Sequence, residues 1–141
     1  MKRIGIAMLA VALSTGCVPR MQPDIPELTG IVERSGSPVA GATILVAERW
    51  AQAPCSSARP VAETDHLGRF AFKGKRSLHL AVVAADPKQY WEMCVQIGEK
   101  VWFGARPAGF GLQKSIDLGT CDVTHEPTPP KDPRDGGICG R

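Results

Sequence analysis

The sequence contains few of the residue patterns on which enzymes depend. It has no C-x-x-C, no G-x-S-x-G, no H-E-x-x-H and no phosphate-cradling glycine loop, and its three histidines are isolated from one another. These absences argue against redox catalysis, a zinc site, a hydrolase nucleophile and a nucleotide site. The carboxylates are scattered among predicted turns, so general acid–base catalysis is unsupported as well. The sequence therefore predicts a protein that is not an enzyme and that has no cofactor or metal.

An excess of positive charge and a membrane-spanning run are missing too. The formal charge is +3, and without Lys2 and Arg3 the chain has 15 basic against 14 acidic residues. Nucleic-acid binding requires a concentrated basic surface, so nucleic acid is excluded as a partner. The apolar stretch from Ile4 to Leu13 has ten residues, which is too short to cross a bilayer as a helix.

That apolar stretch is typical of a targeting segment, since Lys2 and Arg3 precede it and small residues lead to Cys17. The site resembles the lipobox of bacterial lipoproteins, which implies a signal peptide over residues 1–16 and acyl chains on Cys17 that anchor the protein in a membrane. Ordinary secretion with an earlier cut is the alternative. Val18 follows Cys17, and by resemblance to the enterobacterial sorting rule the absence of Asp there favours an outer-membrane lipoprotein on the periplasmic face. Exposure on the cell surface is left open.

Short apolar runs with a period of two, separated by turn residues, make up most of the remaining chain. They predict an all-β sandwich of seven to eight strands, with almost no helical period. Leu78 and Leu80 are expected on an inner face, and Glu92 and Cys94 on an outer one. Residues 17–27 are expected to be an extended tether, residues 28–121 the sandwich, and residues 122–141 a Pro/Gly-rich coil. The predicted strands cover residues 28–32, 42–46, 61–64, 70–72, 77–84, 90–97, 100–105 and 116–118.

Three blocks in the first half carry a family resemblance. They are Gly30 to Val32, Gly36 to Val46 with its Gly-Ser-Pro-Val-Ala-Gly-Ala start, and Thr64 to Phe72. Together they resemble the carboxypeptidase regulatory-like module, a β-sandwich of the transthyretin (prealbumin) type, with the pattern G-x-V, G-x-P-V-x-G-A-x-V and T-D-x-x-G-x-F-x-F. The resemblance implies a noncatalytic module. In the last block, Asp65 can accept hydrogen bonds from turn amides while Gly68 takes a positive φ.

Four cysteines remain in the body of the chain besides Cys17. In an exported protein an even number implies two disulfides, which allow three connectivities. We favour Cys55 with Cys94 and Cys121 with Cys139, because the second pair would hold the tail. In a transthyretin-type strand order, Cys55 with Cys121 is the close alternative.

Aromatic residues near the predicted strand ends are the candidate binding groups, with Trp50, Tyr90 and Trp102 foremost. The competing interpretation is that Trp91 and one of Trp102 and Phe103 fill the core. The function predicted is a noncatalytic, lipid-anchored periplasmic module that binds or scaffolds an envelope protein or glycan. The alternatives are a carbohydrate- or peptide-binding lipoprotein that uses the aromatic loops, and an immunity or inhibitor protein, for which a protruding loop over residues 50–60 would be the sign.

Overall fold

The structure is a computed structural model that describes residues 17–49, 53–82, 88–107, 111–130 and 136–140. In this part of the chain the backbone forms ten strands and no helix, so the fold is all-β, as the apolar alternation predicts. No membrane-crossing helix is found among these residues. The strands are β1 (Cys17–Ile25), β2 (Glu27–Arg34), β3 (Ser37–Pro38), β4 (Thr43–Ala47), β5 (Arg59–Glu63), β6 (Arg69–Phe72), β7 (Lys75–Val82), β8 (Glu92–Ile97), β9 (Lys100–Ala105) and β10 (Ser115–Asp122).

Eight of these strands form two packed sheets. The antiparallel sheet has the order β5-β4-β8-β9. In the mixed sheet β2 is central: β10 pairs with it in parallel on one side, and β6 and β3 pair with it antiparallel on the other. The inner faces of both sheets bury one apolar core, so the architecture is of the sandwich type.

The core consists of alternate residues from the strands, as the period of two predicts. Gly30 of β2 makes room for Phe70 of β6, because a Cβ at Gly30 would stand 2.8 Å from the phenyl ring. The core also takes in both Trp91 and Trp102. Its main buried members are Leu28, Val32, Ile44, Val46, Phe70, Trp91, Met93, Val95, Trp102 and Leu118.

The expected tether is a paired strand. It is extended, as predicted, but β1 pairs antiparallel with β7 along its length. Pro19 and Pro23 fit there because β1 has a partner on one side only, which is the position where a sheet tolerates proline. Leu78 and Leu80 are 67% and 75% exposed, so the prediction that they face the core is wrong. Among the described strands β7 pairs with β1 alone, and its leucines face solvent. We call this pair the β1–β7 ribbon.

A second correction concerns the outer face of the antiparallel sheet. Leu45, Cys94 and Phe103 form a small apolar cluster there, packed against Cys55 and Ala58 of the β4–β5 loop. The same loop buries Glu92, which has no exposed surface. Glu92 and Cys94 do point away from the main core, as predicted, but they are buried because a loop covers them.

The tail is anchored by hydrogen bonds as well as by Cys139. The amides of Ile138 and Cys139 donate to the carbonyls of Phe103 and Gly104 in β9, at 3.0 and 3.2 Å. On the other side the Asp122 amide of β10 donates to the Ile138 carbonyl at 3.1 Å. Tail residues 123–130 are coil, as predicted. Residues 138–140 lie between β9, at the edge of the antiparallel sheet, and β10, at the edge of the mixed sheet.

Candidate functional site

The D-x-x-G block forms the predicted tight turn between β5 and β6. A carboxylate oxygen of Asp65 accepts hydrogen bonds from the amides of Leu67 and Arg69, at 2.8 and 2.9 Å. The bond from the Arg69 amide contributes most, and with the bond from Leu67 it lowers the pKa of Asp65 below its ordinary value. Gly68 has a φ of +72°. Both residues therefore have the expected structural roles.

The four body cysteines pair as favoured from the sequence. One disulfide joins Cys55 to Cys94 and the other joins Cys121 to Cys139. The first fastens the β4–β5 loop to the antiparallel sheet, and the second fastens the tail to the mixed sheet. The alternative pairing of Cys55 with Cys121 is not formed.

A buried ion pair supports the loop that carries Cys55. Oε1 of Glu92 accepts a hydrogen bond from the Cys55 amide at 2.9 Å, and Oε2 lies 3.9 Å from Nη2 of Arg106. The Arg106 guanidinium also stacks 4.5 Å from the centre of the Phe103 ring. Oε2 makes no hydrogen bond with the described residues, so its attraction to Arg106 is electrostatic, and the bond from the Cys55 amide to Oε1 holds the loop. Glu92 therefore links the Cys55 loop to Arg106 at the end of β9, and the alternation of residues along the strand did not predict this role.

Trp102 is the predicted binding residue whose position differs most from expectation. Its side chain is 4% exposed, and its indole Nε1 donates to the His125 carbonyl at 2.7 Å. It cannot serve as an exposed aromatic platform, because the tail crosses over its ring nitrogen. Tyr90 is half exposed, and Trp50 lies outside the described residues.

A groove of about 520 Å³ opens beside Trp102, lined by described tail residues of the segments 125–130 and 136–138. The tail leaves the sheet after Val123, its His125 carbonyl accepts the hydrogen bond from Trp102, and Ile138 is bonded to β9 and β10. The groove volume lies in the range of small-ligand sites. Its walls are β-strand residues on one side and tail residues on the other, and we call it the tail groove. Its lining includes Glu33, Trp102, Asp122, His125, Glu126 and Pro129.

Several lining residues of the tail groove are acidic. Among the lining residues that the structure describes, Glu33, Asp122 and Glu126 are acidic and His125 is the basic residue type. The hydroxyl of Thr124 and the Thr124 amide both donate to Asp122, which lowers the pKa of that carboxyl and keeps it ionised. Lys100 offsets Glu126 through a 2.5 Å ion pair. The tail groove is therefore suited to a ligand that carries positive charge.

The β1–β7 ribbon has one polar face. Asp24 accepts a hydrogen bond from the Ser77 hydroxyl at 2.5 Å, and its other oxygen lies 2.6 Å from Nε2 of His79. Partial burial by itself would raise the pKa of Asp24, but these two bonds and nearby positive charge outweigh it, so the pKa is lowered. Exposed Arg20 lies across the strand pair from His79.

The three histidines lie where they were predicted. His66 is in a turn, His79 is on an exposed strand face, and His125 is in the tail. Within the described ranges, no three His, Cys, Asp or Glu side chains are grouped so that they could hold a metal ion.

No protein-family model and no curated protein matches this chain. Among solved structures, the chain is similar to a 9R-lipoxygenase from Cyanothece PCC8801, with 15% sequence identity and a TM-score of 0.37. The match covers 95% of this chain and 22% of the lipoxygenase chain. A similarity this low has no bearing on the activity.

Proposed function

We propose that this protein is a lipid-anchored, noncatalytic binding module of the bacterial envelope, held at the periplasmic face of the outer membrane by acyl chains on Cys17. The observation that carries the proposal is the pairing of all four body cysteines. Two disulfides fit an oxidising compartment, and they leave Cys17 as the fifth cysteine. That residue directly follows the apolar stretch and small residues of the lipobox-like segment.

Replacement of the lipid acceptor tests the anchor. Cys17→Ser should abolish partitioning of the protein into the detergent phase and leave an uncleaved or mislocalised precursor, because the acyl chains have no attachment point. The matched control replaces both Cys121 and Cys139 with Ser, which removes two cysteines without touching the lipid acceptor, and it should partition as the wild type does. Unchanged partitioning of Cys17→Ser would contradict the proposal.

The tail groove is the best-supported binding site of such a module. The carboxylates of its described lining attract positive charge, while Pro129 and Pro130 offer apolar contact. An extended peptide segment bearing Lys or Arg has this combination of charge and apolar stem. We therefore assign the ligand class as a basic peptide segment of an envelope protein.

Titration with defined peptides tests that assignment. In NMR spectra of the full chain, pentalysine should shift the Trp102 indole signal, because its N–H donates to His125 at the groove, and pentaglutamate should not. Glu33→Gln together with Glu126→Gln should weaken pentalysine binding about tenfold, given roughly 0.5 to 1 kcal/mol for each charge contact. Glu99→Gln, in the β8–β9 turn outside the groove, is the control. Shifts spread over the surface, or equal weakening by the control, would contradict the site.

The two other functions gain less from the structure. Of the three aromatic residues proposed for sugar or peptide binding, Trp102 is buried and only Tyr90 is described as partly exposed. Cys55 and Ala58 pack against the antiparallel sheet, so this part of the β4–β5 loop does not protrude as an inhibitory loop would. The basic-peptide groove is therefore preferred.

A further inference from the structure

The β1–β7 ribbon carries an apolar face that is exposed to solvent. Met21 pairs with Leu78, and Pro19 pairs with Leu80, in an antiparallel register that places each pair on one face. Met21, Leu78 and Leu80 are 57%, 67% and 75% exposed. Such a cluster of large apolar side chains marks an interaction surface.

The same ribbon is polar on its other face, so it is amphipathic across its thickness. Asp24, Ser77 and His79 form a hydrogen-bonded group there. Exposed Arg76 is two positions before Leu78 and therefore belongs to the apolar face, at its end nearest the sandwich. An apolar strip flanked by a cation is the arrangement of surfaces that lie in a membrane interface.

We infer that the apolar face of the β1–β7 ribbon, with Met21, Leu78 and Leu80, inserts into the surface of the membrane that holds Cys17. This inference rests on the proposed lipid anchor. β1 begins at Cys17, so Pro19 and its partner Leu80 are about 7 Å along the strand from the anchor, and Met21 and Leu78 about 13 Å, at ~3.3 Å per residue. Interfacial segments bury their apolar side chains about 5 to 10 Å deep.

A second copy of the chain fits the ribbon less well than lipid does. Pro19 and Pro23 remove two N–H donors from β1, so its edge is a poor template for another strand. The same loss of donors lowers the number of backbone groups that need water near hydrocarbon. The ribbon thus orients the domain on the bilayer, with the sandwich beyond Ile25 and Lys75, where β1 and β7 meet it.

Fluorescence quenching in the acylated full-length protein tests the inference. The protein is reconstituted into phosphatidylethanolamine–phosphatidylglycerol vesicles whose acyl chains carry bromine, with Leu80→Trp as the probe. Leu67→Trp is the matched control, because Leu67 is also a partly exposed leucine but lies in the β5–β6 turn. The signal added by Leu80→Trp should be quenched several-fold more strongly than that of Leu67→Trp.

The outcomes separate the ribbon from the anchor. An acylated protein that floats with the vesicles but shows equal quenching of both probes overturns the membrane contact and leaves the anchor intact. If quenching is absent and the protein forms a dimer that Leu80→Ser dissociates, the apolar face binds a second copy, and the membrane contact is overturned as well.

The mass of the peptide that contains Cys17 shows independently whether Cys17 is acylated. An unacylated protein would contradict the proposed anchor, and flotation of that protein then tests the ribbon. Leu78→Ser with Leu80→Ser should reduce its flotation at least about tenfold, because two leucines lose their contact with lipid. No flotation, or flotation unaffected by these substitutions, would overturn the inference.

Discussion

Gly68 is under two constraints that any side chain would violate. Its φ of +72° is unfavourable for residues with a Cβ. A Cβ at this position would also stand 2.6 Å from the carbonyl oxygen of Val32. Val32 cannot easily move away, because its amide donates a hydrogen bond to the Gly68 carbonyl at 2.8 Å. The turn therefore touches β2 closely as well as reversing the chain.

Gly36 allows these two constraints to be measured separately. Its φ of +76° matches that of Gly68, but a Cβ there would meet nothing within 4 Å. Gly36→Ala should therefore cost only the backbone strain of about 1 kcal/mol, and Gly68→Ala should cost at least about 2 kcal/mol more. Urea unfolding monitored by tryptophan fluorescence gives both values. Equal destabilisation by the two substitutions would mean that β2 yields to the new methyl group.

At the scale of elements, the tail holds its position through a close backbone approach. Gly137 lies against β9, where a Cβ would be 1.9 Å from the Gly104 carbonyl oxygen. This approach brings the amides of Ile138 and Cys139 within reach of the β9 carbonyls. The tail could not dock in this way with a larger residue at position 137.

Gly137→Ala should release the docked segment. We expect trypsin to cleave after Lys131 and Arg134 about thirtyfold faster, because two backbone hydrogen bonds of ~1 kcal/mol each are lost. Gly136→Ala is the control, since a Cβ there would meet nothing within 4 Å. Mass spectrometry of the digest at successive times gives the rates. Cleavage that is equally slow in both variants would show that the Cys121–Cys139 disulfide alone holds the tail.

For the molecule as a whole, strand position was predictable wherever apolar alternation faced one core. The predicted limits of β9 agree with the structure, and Leu28, Ile44 and Phe70 lie inside as expected. The D-x-x-G turn was predictable because the conformation follows from Asp65 and Gly68 themselves.

The remaining differences arise where tertiary contacts decide. The prolines of residues 17–27 argued for a free tether, but β7 offered a partner to that segment. Glu92 has the parity of a solvent-facing residue, and it is buried because a disulfide brings the Cys55 loop over it. The tail groove could not be predicted, since it depends on where coil residues of the segments 124–130 and 136–137 lie against the strands.

The parallel pairing of β2 with β10 constrains the order of assembly. A polypeptide is synthesised from its N-terminus, so β2 is made early and its neighbour β10 is made after most of the domain. Until then, one long edge of the central strand has no partner and can recruit strands from other molecules. The antiparallel sheet can form without β10, but the mixed sheet cannot be completed until β10 has been made. The partly made chain is therefore most open to intermolecular strand pairing during that interval.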